Sequence, residues 1–249
     1  MSDYPGYTGD VFPDCAADVR ELDRLVIRKV SVGPADNNAY LLTCRRTGAQ
    51  LLIDAAADAQ RLMDLVDEAE GDGPGEGPLD QGPPLDVVAT THQHRDHLGA
   101  LSDVVEVTGA RTVAGAEDAG AIEAATGVRV ETPLHHGDRV TFGEVALDVI
   151  HLRGHTPGSV TYAYTEPAGA HAPGAVAHRV HLFTGDSLFP GGVGNTQQDP
   201  ERFAQLLGDV TDRLFDRFGD DTWVYPGHGK DTTLGRERPH LDEWRARGW

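Results

Sequence analysis

The chain has 249 residues, of which 39% are hydrophobic, enough for a sizeable core, yet no apolar run approaches the ~18 residues a membrane span needs. Forty acidic residues against 21 basic ones leave a formal charge of −19, which repels phosphate backbones and anionic lipid and argues against nucleic-acid and membrane partners. Cys15 and Cys44 are too few for a disulfide scaffold, and no basic or apolar leader opens the chain, so a cytoplasmic location is expected.

Residues 24–31, 38–44 and 49–53 are apolar runs split by turn residues and read as an opening antiparallel meander. Leu62, Leu65, Val66 and Ala69 then recur at helical spacing behind Asp58, a candidate N-cap. Residues 71–84 hold so much Gly and Pro that a surface loop is expected. Val87, Val88 and Ala89 form a short buried strand, followed by a polar turn and a helical stretch through Val107. A strand at 112–114 and a helix near 116–125 come next, then strand-like runs at 139–142, 145–151 and 160–164. A second loop is expected at 166–178 before a strand at 180–184. Asp199-Pro200-Glu201 is a strong helix start, and Phe203, Leu206, Leu207, Val210, Leu214 and Phe218 make its apolar stripe. A last core strand covers 222–225 and a short helix 240–247. Strands lead and helices follow in both halves, which predicts two packed sheets with helices outside, in a single domain over 1–249.

Twelve histidines are many for this length, and they are not spread evenly. His92-Gln93-His94-Arg95-Asp96-His97 places four possible metal ligands within one short run. At a strand end, residues 92 and 94 point the same way, and the turn that follows brings Asp96 and His97 round to an adjacent position. Imidazole with carboxylate suits zinc, iron or manganese. One such run cannot close two coordination spheres, and three later segments are the candidate donors: His155 in GHTPGS, Asp186 in TGDSLF and His228 in PGHG. Each follows a strand, in a turn where glycine lets backbone pass close to an ion.

These four motifs in this order resemble the metallo-β-lactamase superfamily, and within it the glyoxalase II-like hydrolases, over roughly residues 24–235. The resemblance implies an α/β fold, a four-layer αββα sandwich of two mixed sheets with helices on the outer faces. It also implies two divalent metal ions, zinc first with iron or manganese as alternatives. His92, His94 and His155 would bind one metal, and Asp96, His97 and His228 the other, with Asp186 bridging both. Asp96 would also be the catalytic residue, orienting a metal-bridging hydroxide or taking its proton. Asp54, after the strand ending at Ile53, matches an Asp the family keeps near the site, in a supporting role. His135, His136, His151, His171, His178, His181 and His240 fit no motif and read as surface or core residues, with His136 or His151 as candidates for the pocket wall.

Asp186 stands where metallo-β-lactamases proper lack a carboxylate, which points away from antibiotic hydrolysis toward thioesters or lactones. A thioesterase acting on an S-acyl derivative of a small thiol is therefore expected. The chain runs only to residue 249 after His228, and 189–197 lacks the basic residue and tyrosine of glutathione enzymes. Mycothiol or a CoA-like thiol is thus as suitable a carrier. Two other readings are a mononuclear iron persulfide dioxygenase, using His92 or His94 with His155 and Asp186, and a non-enzymatic binding module. Trp223, Trp244 and Trp249 suit either a core or an interface, which leaves a homodimer open.

Overall fold

The computed structural model describes residues 6–74 and 85–248. Its first half builds one sheet of seven strands in sequence order. β1 (Asp18–Glu21), β2 (Leu25–Val32), β3 (Asn37–Cys44) and β4 (Gln50–Ile53) pair antiparallel. β5 (Leu85–Thr90), β6 (Arg111–Gly115) and β7 (Thr132–Leu134) then add in parallel. Parallel neighbours need a crossover, and α1 (Ala59–Glu68), α2 (Leu101–Thr108) and α3 (Ala116–Thr126) supply the three.

The second sheet has six strands. β8 (Arg139–Phe142), β9 (Val145–His151), β10 (Val160–Thr165) and β11 (Val180–Gly185) form an antiparallel meander. A small ribbon, β12 (Leu188–Phe189) with β13 (Gly192–Val193), precedes α4 (Pro200–Val210). α4 carries the chain to β14 (Trp223–Pro226), parallel to β11, and β15 (Thr232–Thr233) closes that edge. α5 (Leu234–Glu237) and α6 (Leu241–Arg247) follow.

Side chains alternate across each strand, and the two faces go to different cores. Leu25, Ile27, Tyr40, Leu42, Leu51 and Ile53 meet Leu147, Val149, Tyr162 and Phe183 between the sheets. Val30, Leu41, Leu52 and Val88 face outward onto Leu62, Leu65 and Val66 of α1 and Leu101 and Val104 of α2. Ile150, Leu182 and Val224 face the other way onto Phe203, Leu206 and Val210 of α4 and Trp244 of α6. The layers run helix, sheet, sheet, helix, as the family resemblance implies.

Asp58 and Asp199 both cap as expected, accepting from Arg61 N and from the backbone N–H groups of Glu201 and Arg202. β1 and β7 were not expected. Both lie at the edges of the first sheet, where one neighbour suffices and a short, polar or proline-bearing segment is tolerated. The helix expected after the histidine run starts at Leu101 and ends at Thr108, as expected, and Arg95–His97 before it winds into a tight 3-10 turn. Of the expected loop at 71–84, residues 75–84 lie outside the described residues. The segment 166–178 holds neither helix nor strand.

Candidate metal centre

β4 and β5 run parallel, β11 and β14 run parallel, and β9 is aligned with β11 through the antiparallel β10. The carboxyl ends of these strands open at the crevice where ligands of such sheets bind. His92, His94, Asp96 and His97 follow β5, His155 follows β9, Asp186 follows β11 and His228 follows β14.

The seven side chains meet there in two groups that share Asp186. In the first, His92 Nε2 lies 3.1 Å from His94 Nδ1 and 3.3 Å from His155 Nε2. In the second, Asp96 Oδ2 lies 3.3 Å from His228 Nε2 and 3.7 Å from His97 Nε2. Asp186 reaches both: Oδ2 is 3.6 Å from His155 Nε2 and 3.6 Å from His228 Nε2, while Oδ1 is 3.4 Å from His97 Nε2.

Tautomers follow from the opposite ring nitrogens. His97 Nδ1–H donates to Asp54 Oδ2 at 2.9 Å, His155 Nδ1–H to the Asn195 carbonyl at 2.8 Å and His228 Nδ1–H to the Ala35 carbonyl at 3.0 Å. Thr91 Oγ1 gives its proton to Asp54 Oδ2 at 2.7 Å, so it accepts from His92 Nδ1–H at 3.0 Å. These anchors aim the Nε2 atoms of four imidazoles into the cluster, the arrangement of histidines that can ligate through one nitrogen and be oriented through the other. Asp186 Oδ1 is buried with no hydrogen-bond partner among the described residues. Facing lone pairs beside an unpartnered carboxylate oxygen repel one another unless a cation lies between them. The donor set therefore fits divalent metal.

The turns that carry these histidines are held from behind. Asp54, buried at the end of β4, accepts from the Thr91 backbone N–H at 2.7 Å as well as from His97. Asp118 in the first turn of α3 takes the Gln93 N–H at 3.0 Å, Thr156 Oγ1 at 2.6 Å and the Gly158 N–H at 2.7 Å, joining the turn of His92 to that of His155. Arg202 of α4 donates to the carbonyls of Gly154 and His155. The His228 loop is held by Lys29 Nζ on the Gly229 carbonyl and by Asn38 Nδ2 on the Pro226 and Gly229 carbonyls. Gly227 must be glycine for space, since a Cβ there would collide with the Asp186 carboxylate.

The two groups differ in charge and exposure. Burial, reinforced by the neighbouring imidazoles, holds His92 well below the usual histidine range, and burial takes His155 down to about 4. Both are neutral at pH 7. Burial opposes charge on His97, yet Asp54 and Asp186 carry it up to about 10, so the carboxylates draw positive charge to this end, proton or cation. Asp96 is the most open of the set, with its side chain 44% exposed. Burial alone would raise its carboxyl, but the Asn37 amide and His97 hold it below the usual range. Beside the first group a cleft of about 430 Å³ opens, walled by Gln93, His94, His155, Pro157 and Arg202.

All seven residues singled out from the sequence converge on this edge. His136 and His151 do not line the cleft: His151 Nε2–H donates to the Pro157 carbonyl at 2.7 Å behind the His155 turn. His181 is a core residue paired with Glu166. Sequence reasoning missed Asn37, Asp118 and Lys29, whose only local signals were an ordinary turn, a helix start and a strand.

A family model described as the metallo-beta-lactamase superfamily matches residues 32–229. The probable hydroxyacylglutathione hydrolase glo2 of Schizosaccharomyces pombe is 29% identical over 79% of this chain and 65% of its own. The chain spans about half to two thirds of the length of the hydroxyacylglutathione hydrolases it matches. Among solved structures, TTHA1623 in a di-iron-bound form is 31% identical, covering 84% of this chain and 96% of that one at a TM-score of 0.58. ETHE1 from Myxococcus xanthus is 25% identical, covering 88% and 84% at a TM-score of 0.65. A sandwich with its histidines gathered at one strand edge, matched by that family model along most of its length, belongs to the metallo-beta-lactamase superfamily of metal-dependent hydrolases.

Proposed function

We propose that the chain is a binuclear metallohydrolase that cleaves a thioester of a small thiol, with His92, His94 and His155 holding one divalent ion, Asp96, His97 and His228 the other, and Asp186 shared. The observation that carries this reading is the Asp186 carboxylate, whose Oδ2 stands 3.6 Å from a ligand nitrogen of each group. When bound, the ions supply an acidified water as nucleophile and polarise the scissile carbonyl. The chain's own part is placement and proton handling. Asp54, Asn195 and Ala35 fix which nitrogen each histidine presents. Asp96, ionised and partly exposed, takes the proton of the attacking water. The cleft beside His94 and His155 admits the acyl group or its carrier. Hydroxyacylglutathione hydrolases among the relatives support a thioester of a small thiol. Zinc is the first expectation for the ions, and the di-iron form of TTHA1623 keeps iron beside it. We further propose that the chain acts as one domain, in the cytoplasm, on a small molecule.

A second reading is favoured by the ETHE1 match: oxidation of a thiol persulfide by O₂ at a single iron held by His92 or His94, His155 and Asp186. Elemental analysis followed by a thiol-release screen over acyl-glutathione, acyl-CoA and lactone substrates separates the two. Two divalent ions per chain with thiol release is the expected result. About one iron per chain with O₂ uptake on a persulfide would overturn the hydrolase.

A further inference from the structure

Asp118 is 0% exposed, in the first turn of α3. Its carboxylate takes neutral donors: Oδ2 accepts from the Gln93 backbone N–H at 3.0 Å and from Thr156 Oγ1 at 2.6 Å, and Oδ1 from the Gly158 N–H at 2.7 Å. Gln93 stands between His92 and His94, and Thr156 follows His155. One carboxylate thus ties together the two turns that carry the first group. The fit is close. A Cβ at Gly158 would collide with Asp118, and one at Gly115 with the Gly158 carbonyl, so the His155 turn has no room to slide along α3. Thr156 spends its proton on Asp118 and in turn accepts from Ser159 Oγ–H at 2.6 Å.

A carboxylate buried without a lysine or arginine partner among the described residues is costly, and an apolar side chain would serve packing as well. What the charge adds is aim: donors from two separate turns converge on one acceptor group, which fixes the backbone of both before any ion arrives. We propose that Asp118 is the positioning residue of the first group. It sets the spacing of His92 and His94 from His155, and thereby the affinity of that group alone for a divalent ion. The inference rests on the two-metal reading above. The second group is oriented by other contacts, Asp54 on His97 and the Ala35 carbonyl on His228. Arg202 braces the Gly154 and His155 carbonyls but makes no bond to the His92 turn, so it holds one side of the group where Asp118 holds both.

The test is metal binding by the full chain. Asp118→Asn keeps the outline of the side chain but sets an NH₂ group against at least one of the donors, which breaks the pattern. It is made in wild type, in His228→Ala, which leaves the first group, and in His94→Ala, which leaves the second. Each protein is stripped, shown by thermal unfolding to be folded, and titrated with Co²⁺ against a competing chelator, with visible absorption as a second readout. Wild type should take two ions. In the His228→Ala background, Asp118→Asn should bind its ion ~10–100-fold more weakly, with a shifted absorption band. In the His94→Ala background neither affinity nor band should change. Thr156→Val removes a single link, stands in if Asp118→Asn does not fold, and should cost a smaller share of affinity in the first-group background only. A lowered melting temperature with unchanged affinity in the His228→Ala background overturns the positioning role, and so does an equal loss in both backgrounds. Uptake of one ion by wild type overturns the two-metal reading instead, and the comparison within the first group still decides the role of Asp118.

Discussion

His181 and His92 are both buried histidines; His181, on β11, has two polar partners, and His92, just past β5, has three. Around His181 donor alternates with acceptor: Arg20 donates to Tyr225 Oη at 3.2 Å, that hydroxyl donates to His181 Nδ1 at 2.9 Å, and His181 Nε2–H donates to Glu166 Oε1 at 2.9 Å. Around His92 acceptor faces acceptor on one side, where the Nε2 of His155, whose Nδ1–H is spent on Asn195, stands 3.3 Å from the Nε2 of His92. The first cluster closes on itself and holds the core in register. The second turns neutral imidazoles toward one another, the arrangement a bound cation would complete. Composition does not distinguish a structural polar cluster from a metal centre; the direction of each hydrogen bond does.

The strongest way to break this contrast is to remove the shared carboxylate. Asp186→Ala should lose metal and turnover together, falling to one ion or fewer per chain, with activity down at least ~100-fold, as measured by elemental analysis and thiol release on the same preparation. Retention of both sinks the bridging assignment.

The structural side should answer with stability instead. Lys29 and Asp231 form a fully buried pair at 2.7 Å, with Tyr7 and Trp223 also donating to that carboxylate. Lys29→Met leaves the acid without its cation and should cost about 3–5 kcal/mol, read by urea unfolding followed through tryptophan fluorescence.

The mildest test is a slope. Burial raises Glu166 from an ordinary 4.5 to about 7. A carboxyl raised in the folded state favours folding while protonated, so its contribution is full below about pH 4.5 and is lost as pH rises through 7. Glu166→Gln cannot ionise. Its melting temperature should therefore fall less than that of wild type between pH 5 and 8, and parallel curves would remove Glu166 as the source.

The sequence showed what local pattern determines. Histidines and acids after strands, caps at Asp58 and Asp199, and the stripe of α4 all express themselves within a few residues. What escaped it is long-range. Asn37 meets Asp96 across 59 positions and His228 across 191, and Asp118 joins turns that begin 25 residues before it and end 40 after. Such residues are ordinary in their own neighbourhoods and acquire a role only when the sheets stack. The edge strands β1 and β7 escaped for the same reason: their pairing partners, not their composition, make them strands.

Lys29 also grips the Gly9 carbonyl, and Tyr7 donates to Asp231 at 2.7 Å, so the stretch before β1 is clamped beside the arm that presents His228. Fusion tags or deletions that tug on residues 7–9 should slacken that arm at a distance. A preparation with weak activity calls first for inspection of how its amino terminus was engineered.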